Sequence, residues 1–352
     1  MSNNWETYVR KVEPYVPGEQ TKDPQMIKLN TNENPYGPSP KAVCALQNMD
    51  MSRLRLYPDP KMDDVIEAYA KVNRVEKEQV FAGIGSDDVL AMIFLTFFQS
   101  DKPVIFPDIT YSFYDVWADL FRIPYETIPL DENLKIRAKD YERENGGIII
   151  ANPNAPTGEL LPLAQIEGIV KANPDSIVVV DEAYVDFGGE TALPLISKYD
   201  NVLVVSTFSK SRALAGIRVG FACGDKKLIQ YLNDVKFSFN SYTLNAPAIV
   251  VAKEALLDVE YFEEIRNKVM ATRERVKPIF KELGFRVGDS QSNFLFVTHK
   301  TAKATDIMAH LRENHILVRH FKKPEKIENY LRITIGTDEQ MDRLIEVLRA
   351  YL

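Results

Sequence analysis

Cysteine is nearly absent from this chain of 352 residues: only Cys44 and Cys223 are present. Two distant thiols exclude a disulfide framework and a cysteine-based zinc site. The four histidines, His299, His310, His315 and His320, have no metal-ligand spacing, and there is no H-E-x-x-H, so no metal is expected. No window approaches the roughly 20 apolar residues of a membrane span. The opening MSNNWETYVRKVEPY lacks the apolar stretch of a secretory leader. A cytoplasmic protein with no membrane partner is expected. Positive charge is not in excess either: 43 Lys and Arg against 50 Asp and Glu leave −7. The two signs are interspersed, so no basic face awaits a nucleic acid. There are no internal repeats and no low-complexity tracts.

What is present is a chain with 45% hydrophobic residues, long enough for one large and one smaller core. Between about residues 60 and 225, β-branched runs (QVFAGIG, KPVIF, GGIIIA, DSIVVVDEAY, NVLVVST, VGFACG) alternate with segments such as SDDVLAMIFLTFF and LAQIEGIVKAN, whose apolar residues recur at helical spacing. Strands apolar on both faces belong to a mostly parallel sheet covered by helices, whose ligand crevice opens at the strands' carboxyl ends. From Leu244 to Leu283 the pattern is helical throughout, as in a connector. FLFV, the helix TAKATDIMAHLREN, ILVRHF, YLRITIG and a closing helix striped by Met341, Leu344, Ile345 and Leu348 then make a compact α+β unit. The expected fold class is α/β. Residues 1–45 form an arm rich in Pro, Asn and Gly that is extended and ordered only by packing. Residues 46–245 form the large domain, and residues 246–352 the connecting helix and a small domain.

The chemistry-bearing residues fall at predicted strand ends. Lys210, in NVLVVSTFSKSRALAGIRVGF, is an amine held where a strand ends, and among side chains a lysine amine is the one that condenses reversibly with an aldehyde. Beside phosphate-binding groups, that suggests a Schiff base with pyridoxal phosphate. Asp181 ends SIVVVD, where a carboxylate can pair with a protonated pyridine nitrogen, and Tyr184 three residues on can reach the ring's phenolic oxygen. A helix cap is the competing account of Asp181. Ser86 and Asp87, in GIGSDDVL, lie at a strand-to-helix junction whose free N–H groups favour an anion, Asp87 through its N–H. Arg218 offers a guanidinium, and Thr207 and Ser209 offer hydroxyls, to the same phosphate. Tyr111 follows PVIF, where its ring can stack on the cofactor. Asn154, in the turn NPNAPTG, is placed to bond the phenolate oxygen.

In this order the segments resemble the fold type I pyridoxal-phosphate aminotransferases, and within them the histidinol-phosphate aminotransferase family. LNTNENPYGPSP, YPDP, GSDD, DITYSFY, NPNAPTG, DEAYVDF, STFSKSRALAGIRVGF, ILVRHF and YLRITIG carry the resemblance across nearly the whole chain. The resemblance implies Lys210 as the Schiff-base lysine, Asp181 as the pyridinium partner, Tyr184 as the phenolic-oxygen partner and Tyr111 as the stacking ring. Ser86, Asp87, Thr207, Ser209 and Arg218 are then the phosphate cup, which Tyr57 enters from the other subunit of a homodimer. Arg319 and Arg332, with Tyr15 and Asn34 of the arm, are the implied substrate-binding residues. One position departs from the pattern: the family's usual asparagine before P-T-G is Ala155 here, which leaves Asn154 to supply that role.

The implied reaction moves an amino group from histidinol phosphate to 2-oxoglutarate, giving glutamate, in two half-reactions served by one site. Histidinol phosphate has no carboxylate, so its phosphate takes the place of glutamate's α-carboxylate, and a guanidinium fork accepts either anion. An aromatic amino-acid aminotransferase and a threonine-phosphate decarboxylase share these motifs and differ in the substrate pocket. A non-enzymatic regulatory module of the same fold is the remote alternative, without the basic DNA-binding segment such a module carries.

Overall fold

In the computed structural model, which describes residues 4–352, the β/α alternation closes into a seven-stranded sheet. In spatial order its strands are Val80–Gly83, Gly220–Gly224, Val202–Thr207, Val178–Asp181, Gly147–Ala151, Val104–Pro107 and Tyr125–Ile128. Gly220–Gly224 runs antiparallel to both neighbours, and every other pairing is parallel. The β-branched runs are central strands because both of their faces are covered. Ile149, Val179, Leu203 and Val205 pack with Val89, Ile93 and Trp117 of the helices Gly85–Phe97 and Tyr114–Phe121. Their neighbours Ile148, Ile150, Val178, Val180 and Val204 turn the other way, onto Val65, Ile166 and Val251 of Asp63–Asn73, Leu163–Ala172 and Ala246–Leu257. Full burial of each such side chain contributes about 1.5–3 kcal/mol, so the carboxyl ends of these strands are firmly held.

A second, five-stranded sheet has the order Ile27–Leu29, Ile316–His320, Leu331–Thr334, Phe294–His299, Phe285–Val287. It packs with Val259–Glu282, Ala304–Glu313 and Asp338–Tyr351 around a separate core that includes Phe280, Phe294, Leu295, Leu311 and Leu344. The N-terminal segment is more than an extended arm: Ile27–Leu29 pairs in parallel with Ile316–Val318 as the edge strand of this sheet. Three residues are too few for a periodicity to announce a strand.

The expected single connecting helix is two helices, Ala246–Leu257 and Val259–Glu282, broken at Asp258. The Asp258 carboxylate accepts from Ser39 Oγ at 2.5 Å and pairs with Lys41 Nζ at 3.0 Å, which ties the break to the start of the helix Pro40–Gln47. No helix among the described residues is long and apolar enough to cross a membrane.

Candidate active site

Five chain segments leaving the carboxyl ends of parallel strands, or joining the large sheet's antiparallel pair, converge on one pocket. Its lining includes Ser86 and Asp87 after Val80–Gly83, Tyr111 after Val104–Pro107, and Ala151 and Ala155 around the end of Gly147–Ala151. Asp181 and Tyr184 follow Val178–Asp181, and Thr207, Ser209, Lys210 and Arg218 follow Val202–Thr207. Thr31 and Glu33 of the N-terminal segment close it.

At one end the pocket gathers groups suited to an anion. The helix Gly85–Phe97 begins there, and the first-turn N–H groups of a helix have no intrahelical partner. The Arg218 guanidinium donates to Ser209 Oγ and to Asp87 Oδ2, both at 3.3 Å, and Thr207 Oγ1 lies 3.0 Å from Ser209 Oγ. Glycine makes this packing possible. Gly85 has φ +79°, and a Cβ on it would sit 2.6 Å from Arg218 Nη2, while one on Gly220 would meet the backbone of Gly85 and Ser86 at 2.4 Å. Asp87 turns its carboxylate to Arg218 and to the Tyr111 hydroxyl, which donates to Oδ1 at 2.7 Å.

At the other end lies Asp181, with both carboxylate oxygens engaged by neutral donors: Tyr114 Oη at 2.8 Å and the Ala183 N–H at 3.2 Å. Burial pushes its pKa up to about 6, against the lowering effect of these two hydrogen bonds. A buried carboxylate whose partners are all neutral suits a cationic ring nitrogen better than it suits a helix cap. The Tyr184 hydroxyl accepts from Asn32 Nδ2 at 2.9 Å, so its own proton is free to be donated. Asn32 is itself bound through Thr334 Oγ1 to the small sheet.

Between the two ends stands Lys210, whose Nζ donates to the Thr31 carbonyl at 3.2 Å and lies 5.7 Å from the Tyr184 ring centre. The turn that carries it is clamped from three sides. Asn34 Nδ2 donates to the carbonyls of Lys210 and Ser211, Ser211 Oγ to Asp186 Oδ2, and Arg212 Nη1 to the Ala255 carbonyl at 2.6 Å. Asn34 therefore meets the backbone of the lysine turn.

Arg319 and Arg332 are register partners on the antiparallel strands Ile316–His320 and Leu331–Thr334. Arg332 Nη2 donates to the Asn30 carbonyl at 3.2 Å, while its Nε is buried with no partner. Burial lowers the Arg332 pKa, and the like charge of Arg319 adds to this. Arg319 reaches the Val16 carbonyl at 3.4 Å, and Tyr15 stacks on Phe113 with ring centres 4.2 Å apart. None of these three lines the main pocket.

Asn154 is not where the sequence reading put it. Its amide donates to the Ile109 carbonyl and Thr157 Oγ1 and accepts from Thr110 Oγ1, so the side chain ties its loop to the segment after Val104–Pro107, and Ala155 faces the pocket instead. A turn directs alternate residues to opposite sides, and a shift of one position reverses which side is met. Tyr57 is 80% exposed, stacked on Tyr242 at 4.5 Å and away from this chain's own pocket. The sequence reading passed over Asn32, Thr31, Glu33 and the hydrogen-bonding role of Tyr114. The first three lie in LNTNENP, where the run of polar residues was the available signal.

The donor set fits pyridoxal phosphate from end to end: hydroxyls, a guanidinium and a helix start for the phosphate, a carboxylate for the ring nitrogen, a phenol for the phenolate oxygen and an amine for the aldehyde. Residues 24–348 match the family model for aminotransferase class I and II. The chain is 54% identical to histidinol-phosphate aminotransferase 2 of Dechloromonas aromatica over 99% of both chains. It is 49% identical to the histidinol-phosphate aminotransferase of Clostridium beijerinckii, over 100% of this chain and 98% of that one. Among solved structures, the histidinol-phosphate aminotransferase of Sinorhizobium meliloti in complex with pyridoxal-5'-phosphate superposes with a TM-score of 0.83 at 23% identity, covering 93% of this chain and 92% of that one. At that identity the likeness speaks for the fold, which is fold type I.

Proposed function

The chain belongs to the class I and II aminotransferases, and we propose that it is a pyridoxal-phosphate-dependent enzyme moving the amino group of histidinol phosphate to 2-oxoglutarate. The observation that carries the chemistry is the meeting of the Lys210 amine, the Asp181 carboxylate and the Ser86–Arg218 cup in one pocket. The choice of substrate rests on identity of about half to histidinol-phosphate aminotransferases along the full chain. When bound, pyridoxal phosphate supplies an aldehyde that takes up amines and a ring that withdraws electrons from the substrate's Cα.

The chain's own residues do the rest. Ser86, Thr207, Ser209, Arg218 and the backbone N–H groups of the helix start hold the phosphate. Asp181 keeps a proton on the ring nitrogen, Tyr111 packs on the ring face and Tyr184 donates to the phenolate oxygen. The Lys210 amine, which lies between the two ends of the pocket, would be the base that takes the proton from the substrate's Cα. Arg332, with its unpartnered Nε, and Arg319 receive the substrate's anion, a phosphate in one half-reaction and a carboxylate in the other. Tyr15 completes this end from the arm, while Asn34 holds the backbone of the turn that carries Lys210.

A homodimer follows from the same reading. Met51, Leu54, Leu56 and Tyr57 in one stretch and Phe237, Phe239 and Tyr242 in another are large exposed apolar residues, and the Tyr57–Tyr242 stack joins the two stretches. A second copy of the chain is the occupant we propose for this surface, with Tyr57 entering the partner's phosphate cup. An amino-donor panel with 2-oxoglutarate tests the assignment: histidinol phosphate is the preferred donor, phenylalanine is poor, and threonine phosphate releases no carbon dioxide. Equal use of phenylalanine would move the chain to the aromatic aminotransferases.

A further inference from the structure

Asp181 has a second neighbour that the pocket does not display. Tyr114 is fully buried at the first turn of the helix Tyr114–Phe121 and lines no part of the pocket, yet its hydroxyl reaches the Asp181 Oδ2 at 2.8 Å. Resting on the cofactor assignment above, we propose that Tyr114 is a positioning residue: it fixes the plane of the Asp181 carboxylate and keeps it ionised, so that the ring nitrogen stays protonated.

Three observations support the role. First, a carboxylate turns freely about its last side-chain bond unless both oxygens are engaged. Here the Ala183 N–H holds Oδ1 and Tyr114 holds Oδ2. Second, Tyr114 is itself immobile. Its ring stands edge-on to Phe106 and to Tyr111, each with centres 5.7 Å apart, and lies against Trp117 at 6.4 Å. A hydroxyl on a locked ring is a fixed donor, and its single proton is committed to Asp181. Third, the electrostatic surroundings already push Asp181 towards the neutral acid. Burial raises the Asp181 pKa, the nearby Asp87 charge adds to this, and the Tyr114 hydroxyl, the Ala183 N–H and the Lys210 charge oppose it. Tyr111 and Tyr184, the other ionisable groups near Tyr114, are phenols. Removing the hydroxyl therefore moves Asp181 towards the neutral acid, which cannot hold a proton on the ring nitrogen as an ion pair.

The geometry also explains the pair of tyrosines three residues apart. Tyr111 donates to Asp87 beside the phosphate cup and Tyr114 to Asp181 at the opposite end, so one helix start braces both ends of the cofactor site.

Tyr114→Phe tests this, because it keeps the ring and removes the donor. In the holoenzyme the bound cofactor's absorbance is expected to titrate at a shifted pH. Cofactor affinity should weaken, and kcat fall, on the order of tenfold, the scale of one lost hydrogen bond to a charged group, while KM for the amine donor stays within about twofold. The discriminating arm is a double-mutant cycle. On an Asp181→Asn background the same change should add little, because the charge it serves has gone. A tyrosine that merely fills the core costs the same on both backgrounds and leaves the spectral titration unmoved, and that result overturns the proposal. Melting of the cofactor-free variant measures the packing cost separately. Because affinity and absorbance need no substrate, a wild type that ignores histidinol phosphate sinks the substrate assignment alone. A wild type that takes up no cofactor sinks this inference as well.

Discussion

The two ends of the site are built on different terms. At the cofactor end the functional groups stand at the ends of strands buried on both faces, and each has fixed partners: Asp181 with Tyr114 and Ala183, Tyr184 with Asn32, Arg218 with Ser209 and Asp87. At the small-sheet end Arg332 spends one donor on the Asn30 carbonyl and leaves its Nε buried and unpartnered, and Arg319 makes one long contact with the chain at Val16. On the proposed assignment, the difference follows what each end would hold. A cofactor that stays through both half-reactions favours groups oriented in advance, whereas two substrates that present different anions favour a guanidinium with donors to spare.

The comparison predicts where substitutions hurt most. Lys210→Ala removes the only amine that lines the pocket among the described residues and is expected to abolish transamination, read as loss of glutamate formation in a folded protein. Asp181→Asn keeps the size of the side chain but loses the charge and one of the two acceptor oxygens. Proton removal from Cα should slow by orders of magnitude, several kcal/mol in the range of an electrostatic transition-state contact, in single-turnover kinetics. A near-normal rate there would demote Asp181 to a helix cap. At the other end the losses should be smaller and dependent on the substrate. Arg332→Lys replaces a fork with a point charge and should weaken both half-reactions by roughly ten- to a hundredfold in kcat/KM. Arg319→Ala should harm histidinol phosphate more than glutamate. An unchanged ratio of the two would contradict the shared anion site.

The smallest expected effect concerns stability alone. Glu182, next to Asp181, is buried and accepts from Thr191 Oγ1 at 2.6 Å and the Ala192 N–H at 2.5 Å. Burial pushes its pKa from the ordinary 4.5 up to about 8. The folded chain therefore holds a proton that the unfolded chain releases, so this contribution is complete below pH 4.5 and is lost as pH rises to about 8. Glu182→Gln in the cofactor-free protein should flatten the fall in melting temperature across that window, a difference of a few kcal/mol at most.

Much of this was legible from residue order because strand ends in a parallel sheet are marked by β-branched runs, and Asp181, Lys210 and Tyr111 sit directly after such runs. Arg319 and Arg332 stand out as cations within apolar strands, though only register makes them partners. Other features lay beyond a linear reading. The edge strand Tyr125–Ile128 exposes three of its four residues and carries no apolar run. The direction of Asn154 depended on a turn. The bonds from Tyr114 to Asp181 and from Asn32 to Tyr184 join positions 67 and 152 residues apart, and only tertiary packing brings them together.

The central claim is that Lys210 is the residue joined to the cofactor aldehyde. The most direct measurement is borohydride reduction of the cofactor-loaded protein, which makes that bond permanent, followed by digestion and mass spectrometry. The account predicts the reduced cofactor on the peptide containing Ser209, Lys210 and Ser211, and none in Lys210→Ala. Reduced cofactor on a different lysine of the wild-type chain would contradict it.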